Sequence, residues 1–203
     1  MSTTESTPLV EPLLDKPLRA DAQRNREQLI SVAGRAFAER GVDTSLEEIA
    51  KQAGVGIGTL YRHFPTRHAL IEAVYRQEVE VLCGGVDELL ATLPADQALD
   101  EWMQRFIGYV AIKRGLMSAL KEVVAADSEV FARSRAQMNE AVAKLVSAAV
   151  AAGAIRADAE PADLLRGLSG FCMFGDQEDG WQGRALRLSR LLVDGLRYGA
   201  PQP

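Results

Sequence analysis

Between Gly54 and Arg67 the chain reads Gly-Val-Gly-Ile-Gly-Thr-Leu-Tyr-Arg-His-Phe-Pro-Thr-Arg. Thr59, Tyr61, Arg62 and His63 gather hydroxyl, phenol, guanidinium and imidazole groups into a short stretch, donors suited to phosphate oxygens. Ahead of them, Gly56, Ile57, Gly58 and Thr59 put little bulk at the start of the segment, so its backbone can approach a groove or a phosphate closely. Arg67 adds a second guanidinium just beyond. Catalysis fits these residues less well. His63 and His68 are the only histidines, so a histidine-based zinc site or a Ser-His-Asp hydrolase lacks its parts. The Gly54-x-Gly56-x-Gly58 spacing is not a nucleotide loop either: Thr59 stands where the next glycine is needed, no strand precedes it, and no P-loop lysine follows.

The elements that must position these donors are helical. From Ala20 to Arg40 the apolar residues Leu29, Ile30, Ala33, Ala36 and Phe37 recur at helical spacing, and Gly41 supplies the left-handed residue that ends many helices. Ser45 can cap a second, short helix, with Glu48 reaching back to complete a capping box. Gly54 allows a tight turn into a third helix, about Gly56 to Phe64, whose Leu60 and Phe64 lie one turn apart and pack inward. Pro65 ends it, and Thr66 can cap a fourth helix running to Leu93, where Pro94 stops it. Two short helices joined by a glycine turn are the outline of a helix-turn-helix. Ile57, seven residues before Phe64, has two readings: core, or contact with a thymine methyl in the major groove. Tyr61 likewise either faces DNA or covers the edge of the core.

The remainder alternates helical patterns with breaks at Pro94, Arg114-Gly115, Asp127-Ser128, Gly153 and Pro161, and two-residue alternation of the strand type is absent. Leu99, Trp102, Met103, Phe106 and Val110 form one face of a helix, and Phe131, Met138, Leu145 and Val146 one face of a longer one that starts at an Asp127 or Ser128 cap. The fold class expected is all-α: a three-helix helix-turn-helix domain over residues 19–65 and a helical bundle over residues 66–200. Residues 1–18, with three prolines and a Ser/Thr run, read as a flexible tail without the features of a secretory signal.

The formal charge of −5 is unevenly spread. Residues 19–68 carry eight basic and six acidic side chains, while residues 69–203 carry fourteen basic against nineteen acidic. Positive charge is thus concentrated in the segment with the phosphate donors. No stretch nears the roughly 20 uninterrupted apolar residues of a membrane helix, and a cytoplasmic location is expected. Cys83 and Cys172 lack metal or redox spacing and read as free thiols. Scattered carboxylates such as Asp87, Glu122 and Glu140 do not assemble a nucleophile–base pair, so no enzyme, cofactor or metal site is expected.

Gly-Thr-Leu-Tyr-Arg-His-Phe, then two residues and a basic residue, preceded by a Ser-Leu-Glu-Glu-Ile-Ala helix, resembles the signature of the TetR family of transcriptional regulators. The resemblance covers about Arg24 to Val74. It implies that Gly56, Ile57, Gly58 and Thr59 lie at the start of a recognition helix, near base edges and phosphates. Tyr61 and His63 fall at backbone-contacting positions, Arg67 at a phosphate contact, and Thr44 and Ser45 at further phosphate contacts. Beside these, the residue chemistry makes Arg62 a polar contact next to an Ile57 that touches a thymine methyl. The chain departs from the commoner pattern in having Gly56 where Ser or Thr often caps the recognition helix, and Ile57 where a polar or basic side chain often reads bases.

Beyond the motif, the resemblance implies a repressor released from a palindromic operator by a small-molecule effector, apolar or amphipathic. It places the effector pocket among the helices from Asp96 to Gly153, with Trp102, Phe106, Tyr109, Phe131 and Met138 as the lining. Each of these can equally be core. A homodimer is expected through the two C-terminal helices, where Leu164, Leu165, Leu168 and Phe171 with Gly167 and Gly170, and Leu188, Leu191, Leu192 and Leu196, supply apolar faces. The rivals are a ligand-free architectural DNA binder and an all-helical enzyme.

Overall fold

A computed structural model of the chain describes residues 15–117, 119–120, 128–173 and 180–198. Residues 1–14 of the expected tail, Glu122 and Asp127 lie outside them. The described residues are helical, without a strand.

Helix α1 spans Asp15–Arg40 and ends at Gly41, whose φ of +78° is the left-handed conformation a helix C-terminus favours. It starts five residues before the expected Ala20, so residues 15–18, assigned to the tail by sequence, form its first turn. Helix α2, Leu46–Gln52, is capped by Ser45, whose Oγ accepts from the Glu48 N–H at 3.4 Å. The Glu48 carboxylate turns to Arg40 and to Gln52 Nε2 rather than completing the expected box. Gly54, at φ +70°, turns the chain into α3, Ile57–His63. Thr66 caps α4, Arg67–Gly84, by accepting from the Ala69 N–H at 3.1 Å.

The single fourth helix expected from Thr66 to Leu93 is two. Helix α4 stops at Gly84, and α5, Val86–Thr92, begins after Gly85. Paired glycines carry the largest helix penalty short of proline, about 1 kcal/mol each, which explains the break there. Helix α6 follows over Ala95–Gly115, then α7 over Ser128–Ala151, α8 over Pro161–Met173 and α9 over Trp181–Tyr198.

Helix α6 is the central post, packed against α1, α4, α5, α7, α8 and α9. Its buried face carries Leu99, Trp102, Met103, Phe106, Ile107 and Tyr109. Its last residue comes so close to α1 that a Cβ on Gly115 would sit 2.5 Å from the Phe37 carbonyl oxygen. The bundle and the helix-turn-helix therefore share one continuous hydrophobic core, and no helix of the described residues is long and apolar enough to cross a membrane.

Candidate functional site

Two buried anchors orient α3. Leu60 is fully buried and Phe64 nearly so, which turns Gly58, Tyr61 and Arg62, spaced three and four residues apart, to solvent together. Tyr61 is 45% exposed, a large aromatic ring left facing water on a seven-residue helix. Gly56 is exposed as well, and Gly56 and Gly58 have open space where a side chain would stand. Thr59 and His63 are half-buried, and the His63 imidazole lies 6.3 Å from the Phe64 ring. Ile57 is half-buried and packed against the core, so only one side of its chain is open to solvent. The Arg26 guanidinium, 5.3 Å from the Phe64 ring centroid, braces the end of α3 from α1. Sequence reading passed over Arg26 because that contact joins residues far apart in the chain.

Two of the expected phosphate contacts make hydrogen bonds within the chain. Thr44 is buried, and its hydroxyl donates to the Gly41 carbonyl at 2.8 Å, closing the α1–α2 turn. Arg67 Nη1 donates to the carbonyls of Val42 and Thr44 at 2.6 and 2.7 Å. These bonds tie the start of α4 to the turn that sets α2. Ser45 is exposed, but its hydroxyl donates to Glu47 Oε2 at 2.7 Å. That bond holds the Glu47 carboxyl below the usual carboxylate range, and a carboxylate beside Ser45 makes this helix start a poor seat for a phosphate.

A second site lies behind the helix-turn-helix. A cavity of about 780 Å³ opens among α4, α6, α7 and α8, within the size range of small-molecule sites. Its apolar wall includes Tyr75, Phe106, Tyr109, Phe131 and Met138; its polar side carries Lys113, Arg135, Glu160 and Arg166. The Tyr109 hydroxyl donates to that of Tyr75 at 3.4 Å, and Phe131 stacks on Tyr75 with ring centroids 4.8 Å apart. Burial, reinforced by Tyr75, drives the Tyr109 phenol upward, so it stays a neutral donor. Phe106, Tyr109, Phe131 and Met138 thus stand where the lining was expected. Trp102 does not: it is fully buried, 5.7 Å from the Phe106 ring, and its Nε1 donates at 3.0 Å to the Leu82 carbonyl near the end of α4. That carbonyl is one of those a helix end leaves without a partner, so Trp102 is a structural bolt between α4 and α6.

Tyr75, which the sequence reading left out, links the two sites. It sits on α4 eight residues beyond Arg67, about 12 Å along the helix. One helix therefore carries a cavity wall at its middle and the anchor of the helix-turn-helix at its start. The cysteines take no part: burial pushes the Cys83 and Cys172 thiols up to about 11, leaving them protonated at neutral pH.

The C-terminal pair differs from its expected form. Leu164 and Leu168 of α8 are buried in the chain's own core, and Leu165 lines the cavity. On α9, Leu191 is 67% exposed and Leu188 and Leu192 are half-buried.

Residues 29–74 match the family described as "Bacterial regulatory proteins, tetR family". Residues 94–198 match "Transcriptional regulator SbtR-like, C-terminal domain". An HTH-type transcriptional regulator of Staphylococcus aureus is 38% identical over 65 residues, 32% of this chain and 35% of its own length. The chain thus spans about a third of the length of the curated relatives it matches. Among solved structures, a TetR transcriptional regulator from Streptomyces coelicolor is 45% identical, with a TM-score of 0.78, over 85% of this chain and 98% of that one. A TetR regulatory protein from Mycobacterium vanbaalenii is 35% identical, with a TM-score of 0.72, over 89% of this chain and 99% of its own. An exposed, glycine-lightened recognition helix on a shared α-helical core, matched along both halves of the sequence, has one reading: the chain belongs to the TetR family of transcriptional regulators.

Proposed function

We propose that this regulator is a cytoplasmic, homodimeric repressor that holds a palindromic operator through α3 and lets go when a small molecule fills the cavity. The observation that carries the reading is α4, which bears Tyr75 in the cavity wall and Arg67 in the helix-turn-helix anchor. On DNA, Tyr61, Arg62 and His63 take phosphates, and the bare backbone at Gly56 and Gly58, with the small Thr59 beside it, lets α3 sink into the major groove. The exposed edge of Ile57 meets a thymine methyl. Thr44 and Arg67 serve binding by holding the frame, and Ser45 contributes its backbone cap.

Dimerisation through α9, with help from the outer side of α8, would set two copies of α3 about 34–36 Å apart, one helical turn of DNA. A ligand that shifts α4 spoils that spacing. To move occupancy from 1:99 to 99:1 it must favour the released form by about 5.5 kcal/mol.

The test is selection of duplexes from a random pool by the purified full chain. Enrichment of an inverted repeat, with affinity falling steeply as salt rises, is the expected result. A pool that never enriches, or a winner without dyad symmetry, would remove the palindromic-operator reading.

A further inference from the structure

The polar side of the cavity is not balanced in charge. Lys113 from α6, Arg135 from α7 and Arg166 from α8 face Glu160 alone. Arg166 already bonds Asp163 at 2.8 Å, and both side chains of that pair are exposed. Among the described residues no carboxylate lies within ion-pair distance of Lys113 or Arg135. The Lys113 ammonium instead stands 5.9 Å from the centroid of the Tyr109 ring. Burial, and then the like charge of Arg135, hold Lys113 below the usual lysine range. A cation with one cationic neighbour and an aromatic face for company is a site short of an anion.

We infer that the cavity takes an amphipathic carboxylate, its head between Lys113 and Arg135 and its apolar body against Tyr75, Phe106, Phe131 and Met138. This rests on the ligand-responsive reading above and specifies the ligand's charge. Of the three charge classes, a cationic ligand would add positive charge to a region already in excess. A neutral one would displace water from Lys113 and leave its charge uncompensated. A carboxylate relieves both, and Arg135 can meet it with two parallel N–H donors. Glu160, Arg135 and Arg166 are all exposed, so solvent screens their repulsion and attraction alike, and the half-buried Lys113 carries most of the preference for an anionic head.

Calorimetric titration of the full chain with matched probes tests this: octanoate, octanol and octyltrimethylammonium for an aliphatic body, and 2-naphthoate and 2-naphthol for an aromatic one. The expected result is a carboxylate that binds at least about tenfold tighter than its alcohol, with the ammonium weakest. Lys113→Met and Arg135→Gln should each cut carboxylate affinity about tenfold while leaving the alcohol's unchanged, which also certifies that the variants fold. Should either variant fail to fold, the order of the probes on the unsubstituted chain still decides. An alcohol or the ammonium binding as tightly as the carboxylates overturns the charge assignment but leaves a ligand-responsive cavity standing. No saturable binding by any probe overturns both.

Discussion

Replacing Trp102 with alanine is expected to lower the unfolding free energy by about 3–5 kcal/mol, the range for truncating a large aromatic in a packed core. For a chain of this length that is a fall in Tm of about 10 °C. Two effects add. The fully buried indole leaves a void beside Phe106 that the helices can only partly close. The Leu82 carbonyl loses its 3.0 Å donor at the very end of α4. Phe131→Ala is the informative contrast, because this ring already borders the cavity and is only half-buried. It should cost less than half as much in stability. Urea unfolding of the two variants separates bolt from lining, and equal costs would return Trp102 to the cavity wall.

The second large effect concerns DNA. The variant Tyr61→Ala, Arg62→Ala, His63→Ala is expected to bind the selected duplex at least about 100-fold more weakly, from three polar contacts worth about 1 kcal/mol each. The salt dependence should flatten as well, since fewer counterions are released on binding. Stability should change by about 1 kcal/mol or less, because Tyr61 and Arg62 face solvent and His63 is only half-buried. Titration by fluorescence anisotropy, with thermal unfolding alongside, measures both. Undiminished affinity in a folded variant would take the recognition role away from α3.

The parts of this account that were legible in the sequence rest on local chemistry. Ser45 and Thr66 are caps because serine and threonine hydroxyls reach an N–H three residues on. Gly41 and Gly54 end helices because they accept a positive φ. Leu60 and Phe64 were marked as core by their spacing alone. What the sequence left open depends on contacts between distant residues. Nothing around Arg67 announces that its guanidinium will bridge back to Val42 and Thr44, and a buried Thr44 looks, in sequence, the same as an exposed one. The Gly84-Gly85 break was visible but lost to the apolar periodicity running through it. Trp102 and Phe106 lie four apart on one face of α6, so periodicity cannot tell which borders a cavity. Lys113, Arg135 and Arg166 come from three different helices, and only the packing of α6, α7 and α8 makes them neighbours.

The central claim is that two copies of the exposed α3 face occupy successive major grooves. The measurement that tests it most directly is a hydroxyl-radical and methylation-protection footprint of the full chain on its selected duplex. The account predicts two protected major-groove patches, symmetric about a dyad and about 34–36 Å apart on one face of the DNA. The triple α3 variant should leave both unprotected. A single patch, or even protection along the duplex that persists in that variant, would contradict it.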